Sequence, residues 1–282
     1  QTLLVTPLCG ALVKRRDDTA ALLRSRGAIY DIFSASYLGD MAAVEKWITE
    51  APELATVKDP ASDVLEVTPL HHAVFGLHVE LVSWLLDHGA KPGRNSSIMV
   101  RYAANDHNLE LVRLLLDHDA DASRVGPGRW VLAPVITDLL LSRGADVNYP
   151  KGEWIWRSCT GNNSQRDNPD LVAALLDCGA RLDTRLRGAT ALHYTAKAGF
   201  IGATEVLLQR GADVHALSDG GDTPLLFAMK AGKRADLASI VRMLIEAGAD
   251  AHYPNAKGKT AESLVGRMSR TDSAEILEAL ES

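Results

Sequence analysis

Leucine-rich segments recur along the chain with the spacing of an amphipathic helix. One of them, Leu81, Val82, Leu85 and Leu86, follows an i, i+3, i+4 pattern that would place all four side chains on one helix face. Comparable segments are Leu111, Val112, Leu114 and Leu115, and Val206, Leu207 and Leu208. Most of these segments end close to a Gly-Ala pair, and glycine there supplies the left-handed residue that ends a helix. We therefore predict a series of helices, in which Leu85 and Leu114 are buried between neighbouring units.

A short motif precedes these segments at a fixed distance. It reads Thr-Pro-Leu-His-His-Ala from Thr68, Thr-Ala-Leu-His-Tyr-Thr from Thr190 and Thr-Pro-Leu-Leu-Phe-Ala from Thr223, with a weaker copy from Thr6. Threonine can cap a helix, and proline is tolerated at the first helical position because no backbone donor is lost there. The step from Thr190 to Thr223 is 33 residues. Each unit is thus a pair of helices that buries its apolar faces only by stacking on its neighbours.

These openings and closings resemble the ankyrin-repeat family over nearly the whole chain. The resemblance implies an all-α ankyrin-repeat solenoid of about eight to nine helix–turn–helix units with short β-hairpin tips. The expected units start near Thr6, Tyr30, Thr68, Ile98, Trp130, Trp154, Thr190, Thr223 and Thr260. We expect a single ankyrin-repeat domain over residues 1–282, with irregular central units at about 124–168 and a charged C-terminal capping unit at 260–282.

Composition and charge narrow the class of partner. Apolar residues make up 46% and charged residues 23% of the chain, as in folded proteins, and the net charge of −6 is spread thinly. We therefore expect no nucleic-acid partner, because phosphate binding needs a concentrated basic face. No apolar run is long enough to span a membrane. Three cysteines without metal-site spacing favour a reducing, cytoplasmic location, and a first residue of Gln1 suggests that the native N-terminus is missing.

The resemblance also implies that another protein is the partner, bound against the first helices and the hairpin tips that line a concave face. The matching helix positions are Tyr37, Leu38, Phe75, Asn105, Asp106, Lys197 and Lys230. The matching tip positions include Arg94, Asn95, Arg185, Arg187, Asp219 and Lys257.

The central repeats depart from the regular pattern. After Trp130 the first helix is nearly absent, because Pro134 leads directly into the next leucine-rich segment, and about four extra residues lie within 161–168. Tryptophan and arginine concentrate in this region, and both are enriched in binding hot spots. One interpretation is that the tryptophans fill the space left by the shortened helix. The alternative is a binding site, for a protein or a small anionic ligand, or an unusual enzyme activity. Its candidate residues are Arg101, Tyr102, Arg129, Trp130, Trp156, Arg157, Asn162 and Asn163.

No catalytic or metal-binding motif stands out. His71 and His193 belong to the opening motif, where we expect a structural hydrogen-bonding role, and His72 is unusual because its position is ordinarily apolar or small. Cys159 aligns with alanines of other units, which favours a small core residue over a nucleophile. A triad assembled in space stays open. We predict no catalytic residues, no metal site and no cofactor, and a protein-binding scaffold rather than an enzyme.

Overall fold

The computed structural model describes residues 30–60, 66–128, 133–160, 167–231, 236–265 and 270–281. The chain divides into two compact units, Gln1–Asp146 and Val147–Ser282, which we call unit 1 and unit 2. The expected first repeat near Thr6 lies outside the described residues. That the whole chain forms one continuous domain stays a prediction.

The described part of unit 1 contains three helix pairs and one further helix. The helices are α1 (Ile32–Leu38), α2 (Met41–Glu50), α3 (Pro69–Phe75), α4 (Val79–Asp87), α5 (Ser96–Asn105), α6 (Leu109–Asp117) and α7 (Pro134–Ser142), with a 3-10 turn at Pro52–Thr56. First helices pack on first helices (α1 on α3, α3 on α5) and second helices pack on second helices (α4 on α6, α6 on α7). No helix is present between α6 and α7 among the described residues, in agreement with a shortened central unit.

The described part of unit 2 contains four helix pairs. They are α8 (Glu153–Cys159) with α9 (Pro169–Asp177), α10 (Ala191–Ala198) with α11 (Ile201–Gln209), α12 (Pro224–Lys230) with α13 (Leu237–Glu246), and α14 (Ala261–Val265) with α15 (Arg270–Glu281). Each first helix packs on the next first helix, and each second helix on the next second helix. In α15, Ile276 and Ala279 are buried while Glu275 and Glu278 are exposed, so one face of the helix packs on α13 and α14 and the other is polar.

The all-α prediction is confirmed in the part of the chain that the structure describes. The β-structure found there is one isolated antiparallel bridge, between Leu186 and Ala189. The total number of units and the hairpin tips remain predictions. Among the described helices, none has both the length and the apolar character that a membrane span requires.

The opening motif acts through its histidine. The backbone N–H of Thr190 donates to Nδ1 of His193 over 3.2 Å, which satisfies a donor at the start of α10. An accepting Nδ1 leaves the proton on Nε2, and Nε2 lies 3.0 Å from the carbonyl oxygen of Asp222 in the next repeat. His71 caps α3 through Thr68 in the same way. These two histidines therefore have the structural role that the motif predicts.

His72 of α3 binds Asp59, which lies in the long connection after α2. Nε2 of His72 lies 2.9 Å from Oδ2 of Asp59, and both side chains are buried. The backbone N–H of Asp59 also donates to the carbonyl of Val67 over 2.7 Å. The rings of Phe33 and Phe75 flank the imidazole, with centroids 5.5 and 6.3 Å away. The unusual histidine thus holds the extra residues of this repeat against the core.

Candidate partner-binding surface

The eight predicted site residues are only partly within the described chain. Arg129, Trp130, Asn162 and Asn163 lie outside it. Of the others, Arg101 and Tyr102 belong to α5 in unit 1, and Trp156 and Arg157 belong to α8 in unit 2. A single site formed by all eight remains a prediction, and the described members fall into two separate pairs, one in each unit.

In unit 1, the ring of Tyr102 packs against that of Phe75 from the neighbouring first helix. The centroids are 5.1 Å apart and the rings meet edge to face, which is a favoured geometry for aromatic pairs. Both rings are half-buried, whereas Arg101 is exposed beside them. The first helices of unit 1 therefore present a small aromatic surface.

Unit 2 carries a longer chain of aromatic rings, one from each of three successive first helices. Trp156 of α8 contacts Tyr194 of α10 with a centroid distance of 5.7 Å and an interplanar angle of 86°. Tyr194 in turn contacts Phe227 of α12 at 6.3 Å and 82°. All three residues are only half-buried. We call Trp156, Tyr194 and Phe227 the aromatic row.

The aromatic row is held in place by polar contacts. The hydroxyl of Tyr194 donates to the carbonyl of Leu186 over 3.1 Å, which ties the ring to the turn at residues 185–188. The imidazole of His193 packs edge to face on Phe227 at 4.9 Å. Burial lowers the pKa of His193, and the nearby positive charge of Arg185 lowers it further. The neutral imidazole can therefore keep its hydrogen bonds to Thr190 and Asp222.

The two tryptophans of α8 have different environments. Trp154 is fully buried and packs in the core, as the space-filling interpretation expects. Trp156 is half-exposed in the aromatic row, and its indole N–H has no hydrogen-bond partner among the described residues. That nitrogen is itself buried although part of the ring is exposed, so the N–H faces the protein and the ring offers its apolar surface.

Exposed cations lie beside the aromatic row. The ammonium of Lys197 is 6.0 Å from the ring centroid of Phe227, within reach of a cation–π interaction. Arg185 and Arg187, on either side of Leu186 in the turn that Tyr194 holds, are also exposed. The aromatic rings and these three cations form one mixed surface.

Lys230 is on the same set of helices but is engaged within the protein. Its ammonium lies 2.6 Å and 2.5 Å from the two carboxylate oxygens of Asp222, and the amide of Asn255 donates to the same carboxylate over 2.7 Å. Burial alone would raise the pKa of Asp222, but the hydrogen bonds from Lys230 and Asn255 lower it below its usual value. Lys230 is thus exposed but already paired within the protein, and its predicted contact with a partner remains a prediction.

The structure assigns Cys159 to the core. The residue is fully buried, and burial raises the pKa of its thiol to about 12. The thiolate required of a nucleophile is disfavoured under those conditions. Within the described residues, no group of three or more histidine, cysteine, aspartate or glutamate side chains could hold a metal ion.

A cleft of about 360 Å³ lies between residues 148–152 and 181–184 of unit 2. Two of its lining residues, Lys151 and Arg181, are basic. Arg181 is already bidentate to Asp183, with both N–O distances at 3.2 Å. This leaves mainly Lys151 to meet an anion, which makes the cleft a weaker candidate than the mixed surface.

Two members of the aromatic row were missed at the sequence level. Tyr194 and Phe227 hold the same position in the opening motif, four residues after Thr190 and Thr223 respectively. Two aromatic residues at one repeat position and one repeat step apart are a usable signal, because stacking brings equivalent positions together.

The comparison with protein families is decisive for the fold. A family model described as "Ankyrin repeats (3 copies)" matches residues 32–125 and 162–265, which is more than half of the chain. The chain belongs to the ankyrin-repeat family. Among solved structures it is similar to the ankyrin repeat domain of Bcl-3, at 20% identity and a TM-score of 0.42, with 89% of this chain and 98% of that chain covered.

Two curated proteins are similar over part of this ankyrin-repeat chain. Palmitoyltransferase AKR1 of Lachancea kluyveri is 28% identical over 186 residues, which is 62% of this chain and 25% of that protein. The B-cell lymphoma 3 protein homolog of Mus musculus is 28% identical over 183 residues, which is 58% of this chain and 40% of that protein. The matches thus span about a quarter and two fifths of these relatives.

One of these matches corrects a sequence-level prediction. The chain was expected to be a scaffold and not an enzyme, but a relative at 28% identity is named a palmitoyltransferase. The absence of a recognisable catalytic motif was too weak a basis for that expectation, because repeats of one kind occur in proteins of different activities. The prediction that the protein is not an enzyme is therefore wrong.

Proposed function

We propose that unit 2 binds a partner protein through the aromatic row and the cations beside it. The observation that carries this proposal is the edge-to-face chain of Trp156, Tyr194 and Phe227, whose rings remain half-exposed. Rings left partly exposed on a packed, rigid scaffold offer apolar area at low entropic cost. Aromatic residues and arginine are also the types most enriched in binding hot spots.

The repeat scaffold supports the same proposal. Each ring is anchored on a first helix whose opposite face is buried, so the surface does not need to be ordered when a partner arrives. A protein partner can meet the rings and the cations together, whereas a small ligand would contact one or two of them.

Replacement of Trp156 and Arg157 together by alanine tests the proposal. We expect the double variant to lose at least about tenfold in affinity for its partner, because a hot-spot ring and a neighbouring cation are removed. Partners would be captured from native lysate and quantified by mass spectrometry. The matched control is Tyr253→Ala, since Tyr253 is an exposed aromatic of unit 2 outside the row.

The thermal unfolding of each variant separates binding from packing. If the double variant unfolds at the wild-type temperature and captures the same proteins in the same amounts, the proposal is wrong. A sharp fall in unfolding temperature with unchanged affinity would assign the pair to packing alone. Tyr194→Phe keeps the ring while it removes the hydroxyl that ties down the turn at residues 185–188, and we expect it to weaken binding less than the double variant does.

The match to a palmitoyltransferase supports a second candidate, in which the same surface holds a protein that receives an acyl group. Its test is the transfer of a labelled palmitoyl group to captured partners by the full chain, with and without the Trp156 and Arg157 substitutions. The central anionic-ligand alternative remains a prediction, because four of its eight candidate residues lie outside the described chain. A cytoplasmic location remains part of the proposal, to be checked by cell fractionation.

A further inference from the structure

We infer that the segment bound by unit 2 is acidic and carries an aromatic or large apolar anchor residue. This inference rests on the proposed function and specifies its partner. It depends on the way in which the turn at residues 185–188 and the last turn of α10 place three cations beside the aromatic row.

The turn is positioned by Tyr194. The phenol hydroxyl donates to the carbonyl of Leu186, and the backbone N–H of Leu186 donates to the carbonyl of Ala189 over 3.1 Å. Arg187 adopts a left-handed backbone with φ of 49°, and Gly188 follows with φ of 76°. The two arginines are thereby held on either side of the residue that contacts the aromatic row. This is a fixed arrangement rather than a pair of arginines on a free loop.

The three cations are not neutralised by the described part of unit 2. Arg185, Arg187 and Lys197 are exposed, and none of them takes part in an ion pair there. The ion pairs found in that part of the unit are Arg181–Asp183, Arg210–Asp177, Lys230–Asp222 and His252–Glu262. Lys151, Arg242 and Lys257 are also exposed and without an ion pair there; Arg185, Arg187 and Lys197 differ from them in lying beside the aromatic row.

Of the two nearby carboxylates, that of Asp222 is already engaged in the fold, where Lys230 and Asn255 hold it. Asp219 lies over Gly188, so closely that a Cβ on that glycine would collide with its carboxylate, and its backbone N–H donates to the carbonyl of Gly188. Asp219 therefore closes the turn against the next repeat. Its exposed carboxylate offsets part of the charge of the three cations, and the rim of the row keeps a positive excess.

The cations beside the aromatic row would favour the binding of a partner's carboxylates in two ways. A guanidinium binds a carboxylate in bidentate geometry, and the apolar rings beside it lower the local exposure to water and so strengthen the contact. Unpaired cations at a rim also steer an oppositely charged segment and exclude a like-charged one. The apolar anchor would pack on the rings.

Nucleic acids and anionic membranes share the negative charge but fit less well. Three cations on one short arc match two or three carboxylates, while the chain as a whole has a net charge of −6 and would repel an extended polyanion. An acidic protein segment is therefore the occupant that we propose.

The test is a selection of short random peptides displayed on phage against the immobilised full chain. We expect the selected peptides to be enriched in aspartate and glutamate next to an aromatic or large apolar residue. A variant with Arg185→Ser, Arg187→Asn and Lys197→Gln should weaken the binding of a selected peptide at least about tenfold. Asparagine is chosen at Arg187 because it tolerates a left-handed backbone. The affinity of the wild type should also fall as NaCl rises from about 50 to about 300 mM.

The control variant removes the same charge at other places in unit 2, by Lys151→Gln, Arg210→Gln and Arg242→Gln. It should bind the selected peptide as the wild type does. Peptides that need Tyr194 and Phe227 but show no acidic enrichment would overturn this inference and leave the proposed function standing. If no selected peptide needs the aromatic row for binding, the inference and the proposed function are both wrong. Cation-dependent binding to poly(dT) or to phosphatidylserine vesicles, without acidic peptides, would also overturn the inference.

Discussion

The carboxylate of Asp167 accepts a 2.6 Å hydrogen bond from the backbone N–H of Gly202, in the next repeat. Its other oxygen accepts from the N–H of Ala203 over 2.9 Å. Helix α11 begins after Phe200, which has no side chain that could cap it. Asp167, just before α9, therefore supplies the N-terminal cap that α11 lacks, and the last residues of the central insertion have a structural use.

Replacement of Asp167 by alanine should destabilise unit 2 by about 1–2 kcal/mol, because two N–H groups at the start of α11 lose their acceptor. Urea unfolding followed by circular dichroism measures the change. The control is Asp170→Ala, which removes an exposed carboxylate of the same segment. It should lower the free energy of unfolding clearly less. Equal losses of unfolding free energy for the two variants would show that the cap from Asp167 does not stabilise unit 2.

Two neighbouring leucines of α6 provide a test of the core. Leu115 is fully buried, whereas Leu114 is only half-buried, so the sequence-level assignment of Leu114 to the interface is corrected. We expect Leu115→Ala to lower the free energy of unfolding by about 2–5 kcal/mol and Leu114→Ala by less than half of that. Leu85 is fully buried as predicted, and Leu85→Ala should match Leu115→Ala. A larger loss of unfolding free energy for Leu114→Ala than for Leu115→Ala would contradict this packing.

The stability of unit 1 should depend on pH through His71. Burial, with a smaller contribution from His72, lowers the pKa of His71 from 6.5 to about 4. Between these values the unfolded chain binds a proton that the folded chain does not, so stability is present above pH 6.5 and is lost as the pH falls toward 4. At pH 5 the loss should be about 2 kcal/mol relative to pH 7.5.

A glutamine at position 71 can accept the same hydrogen bond without titrating. His71→Gln should therefore show a flatter dependence of unfolding free energy on pH than the wild type, as measured by urea titrations at several pH values. Other histidines act equally in both proteins, so the difference isolates His71. Parallel curves for the two proteins would refute the assignment.

The two described cysteines should react at very different rates. Cys159 is buried with a pKa raised to about 12, and Cys178 is exposed. In a Cys9→Ser background, a disulfide reagent at pH 8 should modify Cys178 quickly and Cys159 roughly a hundredfold or more slowly, because the latter must wait for local opening. Cys178→Ser identifies the slow phase. Comparable modification rates for the two cysteines would show that Cys159 is accessible and reactive.

The sequence by itself determined the repeat and its local chemistry. The threonine and histidine of each opening lie three residues apart, so the cap at Thr190 and His193 needs nothing beyond one turn of helix. The second helices follow from leucine spacing, and the burial of Leu85 and of Cys159 follows from their places in the repeat. Local periodicity is sufficient for these features because each depends on residues within a few positions of one another.

Only the tertiary structure decided which of those residues meet across repeats. A run such as Leu114, Leu115 and Leu116 leaves the edge of the apolar stripe open, and the rotation of α6 against its neighbours buries Leu115 and Leu116 but not Leu114. Lys230 forms an ion pair because Asp222 lies within reach of it, while Lys197 at a similar position has no ion pair among the described residues. The aromatic row joins Trp156 to Tyr194 across an irregular spacing. Such contacts depend on the angle and offset between stacked units, which no local pattern specifies.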